Sequence, residues 1–133
     1  MNKLGIIFFD CDGTLINNHE RLYRVYFDYL VERDCVPLSK KKYIDLKRKK
    51  INESAILMET SPHLIYKEYA KYRIENIERW DYLLTDTLIK DTFKVLDFLT
   101  DMYRLILLTN RQSRYFLLKQ LNYLGIRKYF VKY

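Results

Sequence analysis

Two acids stand two positions apart, Asp10 and Asp12, directly behind the apolar run at residues 6–9 in "GIIFFDCDGTLINN". A carboxylate brought close to a buried strand is costly unless a partner or a ligand meets it. Either the chain simply turns out to solvent through Asp12-Gly13, a common turn pair, or the two acids hold something charged. At this spacing, with Gly13 permitting a sharp turn immediately afterwards, they can hold a hard cation such as Mg2+ while one of them attacks an electrophile. A second polar cluster closes a second apolar run: Thr109 and Asn110 end "RLILLTN". Their hydroxyl and amide can donate hydrogen bonds to an anionic group held by that cation; alternatively they only start the next helix.

The elements that would carry these residues are legible in outline. Residues 4–9 and 104–110 are short, β-prone and apolar on both alternating faces, the pattern of strands inside a parallel sheet. Residues 19–33 repeat Leu22, Tyr26, Tyr29, Leu30 and Arg33 at helical spacing, and Ser39 is placed to cap a second, basic helix. Ser61 followed by Pro62 predicts another helix start, running to about Trp80 with Tyr66, Tyr69, Ala70, Arg73, Ile74 and Ile77 on one face. Asp91 is placed to cap a helix through Phe93, Leu96 and Leu99, and Gly125 to stop one that begins near Gln112. The tail "IRKYFVKY" can begin a third strand. With residues 16–90 read as helix throughout, the remaining order is strand, helix, strand, helix, strand, which predicts an α/β parallel sheet. In such sheets ligands bind at the carboxyl ends of the strands, where both polar clusters fall.

Composition bounds the rest. The chain has 133 residues, 49% of them hydrophobic and 31% charged, which suits a single modest core and not two, with room for an insert. The net charge of +7 is local, because residues 39–50, "SKKKYIDLKRKK", hold seven basic residues and one acid. Such a run is ordinarily a solvated face; the sharper reading is that it draws anionic substrates or nucleic-acid backbone. The apolar run at residues 6–9 is too short for a signal core, and no segment approaches a membrane span. Two cysteines, one of them inside the acidic motif, argue against a disulfide framework and for a reducing cytoplasm. His19 and Trp80 read as surface and packing residues, and the 13 tyrosines receive no role.

At this point the sequence resembles the haloacid dehalogenase-like hydrolases. "DCDGT" matches their first motif, Asp-x-Asp-Gly-Thr, with its apolar strand before and Leu15 after; "LILLTN" matches their second, a hydrophobic strand ending in Thr or Ser. The segments "LIKDTFKVLDFLTDMYRLILLTN" and "LNYLGIRKYF" look like the family's approach to that strand and its sequel. The resemblance implies a Rossmann-like core at residues 1–15 and 91–133, with three recognisable strands, and a helical cap inserted at residues 16–90. It implies a phosphatase for a small phosphorylated metabolite or nucleotide, in which Asp10 is the nucleophile that forms an aspartyl-phosphate and Asp12 the general acid/base. Mg2+ would be held by the Asp10 carboxylate and the Asp12 backbone carbonyl, and Thr109, with Asn110 beside it, would bind the phosphoryl group.

The family also has a third motif, a neutralising Lys or Arg, and a fourth, an acidic pair that completes the metal site. The chain reaches Tyr133 before either, and no acid follows Asp101. Arg111, Arg114 and Lys119 are the cations placed to stand in for the third motif. The expectation is therefore weak or absent phosphatase activity from this chain alone. The edge of the first strand should also lie open, and a partner chain or a homodimer mate should cover it. Two other functions stay open: a non-catalytic interaction module derived from the fold, and, from the basic run alone, a nucleic-acid-end phosphatase.

Overall fold

The computed structural model describes residues 2–132. In chain order the elements are β1 (Gly5–Asp10), β2 (Ile16–Asn17), α1 (His19–Glu32), α2 (Lys40–Arg48), α3 (Glu53–Thr60), α4 (Tyr66–Asn76), α5 (Trp80–Leu83), β3 (Thr87–Leu88), α6 (Thr92–Thr100), β4 (Tyr103–Leu108), α7 (Arg114–Tyr123), a 3-10 turn (Arg127–Tyr129) and β5 (Phe130–Lys132). They form two compact units, residues 1–18 with 83–133, and residues 19–82.

The first unit is the expected α/β fold. β1 and β4 run parallel in strict register from Gly5 opposite Tyr103 to Asp10 opposite Leu108. β5 joins the far side of β4, also parallel, giving the order β1-β4-β5. Leu105 and Leu107 of β4 point into a core with Leu96 of α6, Leu117 and Leu121 of α7, Ile126, Tyr129 and Phe130. Each fully buried aliphatic side chain of this kind contributes about 1.5–3 kcal/mol. Ile7 and Phe9 of β1 lie against the same core. The expectation that β1 is covered on both faces is corrected: Ile6 is 54% and Phe8 58% exposed, on a face of the sheet that also leaves Arg104 and Leu108 of β4 exposed.

The third strand is shorter than the tail suggested, since residues 127–129 first coil as a 3-10 turn. Residues 16–90 are not helical throughout, because β2 and β3 pair antiparallel, Ile16 with Leu88 and Asn17 with Thr87. The Ile89 N–H adds a 2.9 Å bond to the Leu15 carbonyl. The helical segment thus leaves and rejoins the first unit at one clasp. Asp91 does precede α6, but with φ of 67° and no capping bond from its side chain.

Against the expectation of a single core, the second unit, which is helical, has its own, made largely of tyrosine: Tyr26, Tyr29, Tyr43 and Tyr69 are buried with Leu30, Ile56 and Leu57. Tyr26 and Tyr43 stack with ring centroids 4.9 Å apart. Large rings fill such a core, but each hydroxyl needs a partner. Tyr26 accepts from the Leu38 N–H at 3.0 Å, while Tyr43 and Tyr69 donate to the Glu53 carboxylate at 2.6 and 2.8 Å. Glu53 also meets Lys47 at 3.0 Å and Arg73 at 3.5 Å. Burial alone would raise its carboxyl, but Arg73, the Tyr43 hydroxyl and Lys47 together hold it below its ordinary value. The Tyr43 and Tyr69 phenols are pushed up, first by burial and then by Glu53.

Ser39 caps α2 as expected, accepting from the Lys42 N–H. Ser61 does not start a helix: it closes α3, its N–H donating to the Leu57 carbonyl. α3 is instead capped by Asn52, and α4 begins at Tyr66 without a side-chain cap. Among the described residues no helix is long and apolar enough to cross a membrane.

Candidate active site

The in-register pairing of β1 with β4 fixes the geometry of the two polar clusters. Because Asp10 ends β1 opposite Leu108, Thr109 and Asn110 leave β4 at the same end of the sheet. Asp10, Leu108, Thr109 and Asn110 line one small cleft of about 150 Å3. Three of the four expected site residues therefore share one concavity. Asp10 is exposed there, with only a long 3.4 Å contact from the Thr14 hydroxyl.

The turn that follows is wound tightly around Cys11. The Cys11 carbonyl accepts from Leu15 at 3.0 Å and from Ile16 at 3.2 Å, and the Gly13 N–H donates to the Ile16 carbonyl at 2.8 Å. Gly13 takes φ of +82° with nothing within 4 Å of a built Cβ, so the need for glycine is conformational and not steric.

Asp12 does not join Asp10 in the cleft lining. Its carboxylate lies in a two-pronged bond from Arg111, Nε to Oδ2 and Nη2 to Oδ1, both 2.8 Å. Arg111 is a buried cation with a side chain 4% exposed, and Nη2 also reaches Gln120 Oε1 at 2.9 Å and Asp86 Oδ2 at 3.9 Å. Gln120 in turn donates to Asp86 Oδ2 at 2.7 Å and to the Leu83 carbonyl at 3.1 Å. Burial opposes the charge on Arg111, but the bond to Asp12 and the fields of Asp12, Cys11 and Asp86 carry its pKa above the usual arginine value. Of the cations placed to stand in for the third motif, Arg111 is thus bound to the acidic motif, while Arg114 and Lys119 lie at exposed positions of α7. Sequence reading missed Asp86 and Gln120 altogether. The available signal was thin: polar residues at buried positions, recognisable only once the fold is known.

Among the described residues no three or more His, Cys, Asp or Glu side chains converge as a metal cage. The Asp12 carboxylate is engaged by Arg111, and the ligands that the resemblance implies are the Asp10 carboxylate and the Asp12 main-chain carbonyl. Two hard oxygens fit Mg2+, which binds through one or two carboxylates and takes its other ligands from water and phosphate.

A family model for haloacid dehalogenase-like hydrolases matches residues 4–133, and the chain belongs to that family. Solved structures share the fold. A haloacid dehalogenase superfamily hydrolase of Geobacter sulfurreducens aligns at TM-score 0.71 and 16% identity, over 98% of this chain and 61% of that one. A hydrolase from Streptococcus pneumoniae aligns at TM-score 0.66 and 19% identity, over 99% of this chain and 66% of that one. A Bacillus subtilis hydrolase of the same superfamily, described as bound to magnesium, aligns at TM-score 0.53 and 16% identity, over 98% and 64%. The chain therefore spans 61–66% of the length of these three structures. No curated protein matches it.

Proposed function

We propose that this chain carries the phosphoryl-transfer site of a Mg2+-dependent phosphatase for a small phosphorylated metabolite or nucleotide. The observation that carries the reading is the meeting of Asp10 with Thr109 and Asn110 in one cleft at the strand ends. Asp10 Oδ attacks phosphorus, the bond to the leaving oxygen breaks, and Asp12 supplies the proton to the departing alcohol. Water then attacks the aspartyl-phosphate, Asp12 takes the water's proton, and inorganic phosphate and free Asp10 are restored. Thr109 and Asn110 donate hydrogen bonds to the phosphoryl oxygens, where charge gathers in the transition state. When bound, Mg2+ would screen the Asp10 carboxylate from the anionic phosphate. The magnesium recorded in the Bacillus subtilis relative supports that choice of metal.

Residues 16–90 serve in this reading as the cap that sets substrate choice, their helical body being the unit at residues 19–82. Cys11 and Cys35, neither of them in a disulfide, accord with a cytoplasmic setting. A second reading, a non-catalytic module that binds a partner chain, is favoured by β1 lying at the sheet edge beside an open apolar face that exposes Ile6 and Phe8.

The test is Mg2+-dependent release of phosphate from p-nitrophenyl phosphate by the full chain, with Asp10→Asn beside it. A rate abolished by Asp10→Asn is expected. Equal rates for the two proteins would favour the binding module.

A further inference from the structure

The cluster around Arg111 is asymmetric in a way that says which carboxylate it serves. Asp86 is the more deeply buried acid, with a side chain wholly inaccessible, whereas the Asp12 side chain is 29% exposed. Were Arg111 present only to neutralise a buried charge, its fork would belong on Asp86. Instead both 2.8 Å bonds go to Asp12, and Asp86 is held at 3.9 Å. A planar fork fixes the plane and direction of the carboxylate it grips, which a point charge cannot do. The arrangement also leaves Arg111 Nη1 buried without a hydrogen-bond partner. Buried ion pairs are often no more stable than apolar side chains of the same volume, so stability alone does not explain why the fork grips the more exposed of the two acids. Nor does Arg111 present a donor to substrate: Nε and Nη2 are taken, and Nη1 is buried.

We infer that Arg111 is the positioning residue for Asp12, and that Asp86 and Gln120 hold Arg111 for that task. The direction of the Asp12 carboxylate is then set from residues 83–86, through the bonds of Gln120 to the Leu83 carbonyl and to Asp86. Those residues lie where the chain returns from the helical unit. This rests on the reading of Asp12 as the general acid/base. It adds three residues to the reaction, none of which touches substrate.

Two measurements on the full chain separate this inference from the function beneath it. The first is p-nitrophenyl phosphate turnover with Mg2+ for Asp86→Asn, Gln120→Met and Arg111→Lys. Each should lower kcat about 10- to 100-fold, the usual effect of removing a supporting hydrogen bond, with KM within about twofold. Asp86→Asn added to Asp12→Asn should cost nothing more than Asp12→Asn alone. Additive losses, or an Arg111→Lys protein that keeps the parent kcat, would overturn the positioning role. The second needs no turnover: the NMR signal of the Arg111 Nε–H should exchange slowly in the parent chain and lose that protection in Asp86→Asn and Gln120→Met. An unchanged signal would refute the inference even if the enzyme is active. Should the parent turn over no faster than Asp10→Asn, the functional reading fails and this second measurement decides the geometry by itself.

Discussion

Each unit buries one charge hub, and the two are near inverses. In the helical unit an anion, Glu53, sits among two cations and two phenols, and both of its oxygens accept a hydrogen bond. In the α/β unit a cation, Arg111, sits between two carboxylates with one nitrogen unsatisfied and its best bonds spent on a partly exposed partner. The first hub keeps its bonds within its own core, although it too leaves one nitrogen, Arg73 Nε, buried without a partner. The second is open at one end, and the open end is the acidic motif. A buried network whose bonds stay within its own core reads as structure, and one whose best bonds are directed outward reads as function.

That contrast can be broken by substitution. The largest effect is expected from Arg111→Met, which takes a buried guanidinium away from Asp12, Asp86 and Gln120 together. Unfolding in urea should show a loss of about 3–5 kcal/mol. Glu53→Gln should cost less, about 2 kcal/mol, because Lys47 and Arg73 are each roughly one-fifth exposed and can turn to water. The same substitution tests the pH dependence. The Glu53 carboxyl titrates below its ordinary 4.5 in the folded chain, so its contribution is complete above pH 4.5 and is lost as pH falls through the folded value. Thermal melts from pH 6 downward should therefore fall less steeply for Glu53→Gln than for the parent chain.

Smaller still is the difference between two phenols of one core. Tyr43→Phe removes a bond to Glu53 and should cost about 1 kcal/mol. Tyr29→Phe removes a buried hydroxyl with no partner, while the Arg33 guanidinium 3.5 Å over the ring and its bond to the Tyr29 carbonyl both survive. Its stability in the same urea titration should be unchanged or up to about 1 kcal/mol higher. The smallest change concerns Lys50, which follows the Lys49 C-cap of α2 at φ of 60° with its N–H on the Lys47 carbonyl. Lys50→Gly should stabilise the helical unit by about 0.5 kcal/mol, measured as a raised melting temperature.

What could be read in advance follows physical lines. β1 and β4 were legible because continuous apolar runs ending in polar residues have few other uses, and parallel pairing then brings Asp10 to Thr109. Ser39 was legible because a cap acts within three residues of itself. Ser61-Pro62 misled because a proline that favours a helix start equally enforces a stop, and Ser61 closes α3. β2 and β3, two residues each, are too short to show a period. Asp86 and Gln120 could not be read, since each is one polar residue whose meaning lies in a partner 25 or 9 positions from Arg111. The tyrosines had no assignment because their role is collective: four rings fill one core and two hydroxyls together hold Glu53.

The clasp of β2 on β3 bears on how such a chain can change over generations. Since Asn17 and Thr87 sit opposite each other, everything between them is, topologically, the loop of a single hairpin. The closure entropy of a flexible loop rises only about 0.6 kcal/mol per doubling of its length. The core therefore places little restraint on how long or how elaborate that loop becomes. Residues 83–86 are the exception, because they return to Arg111 and Gln120. Evolution is free to rewrite the domain it hangs from this doorway, provided the last few residues on the way back in stay the same.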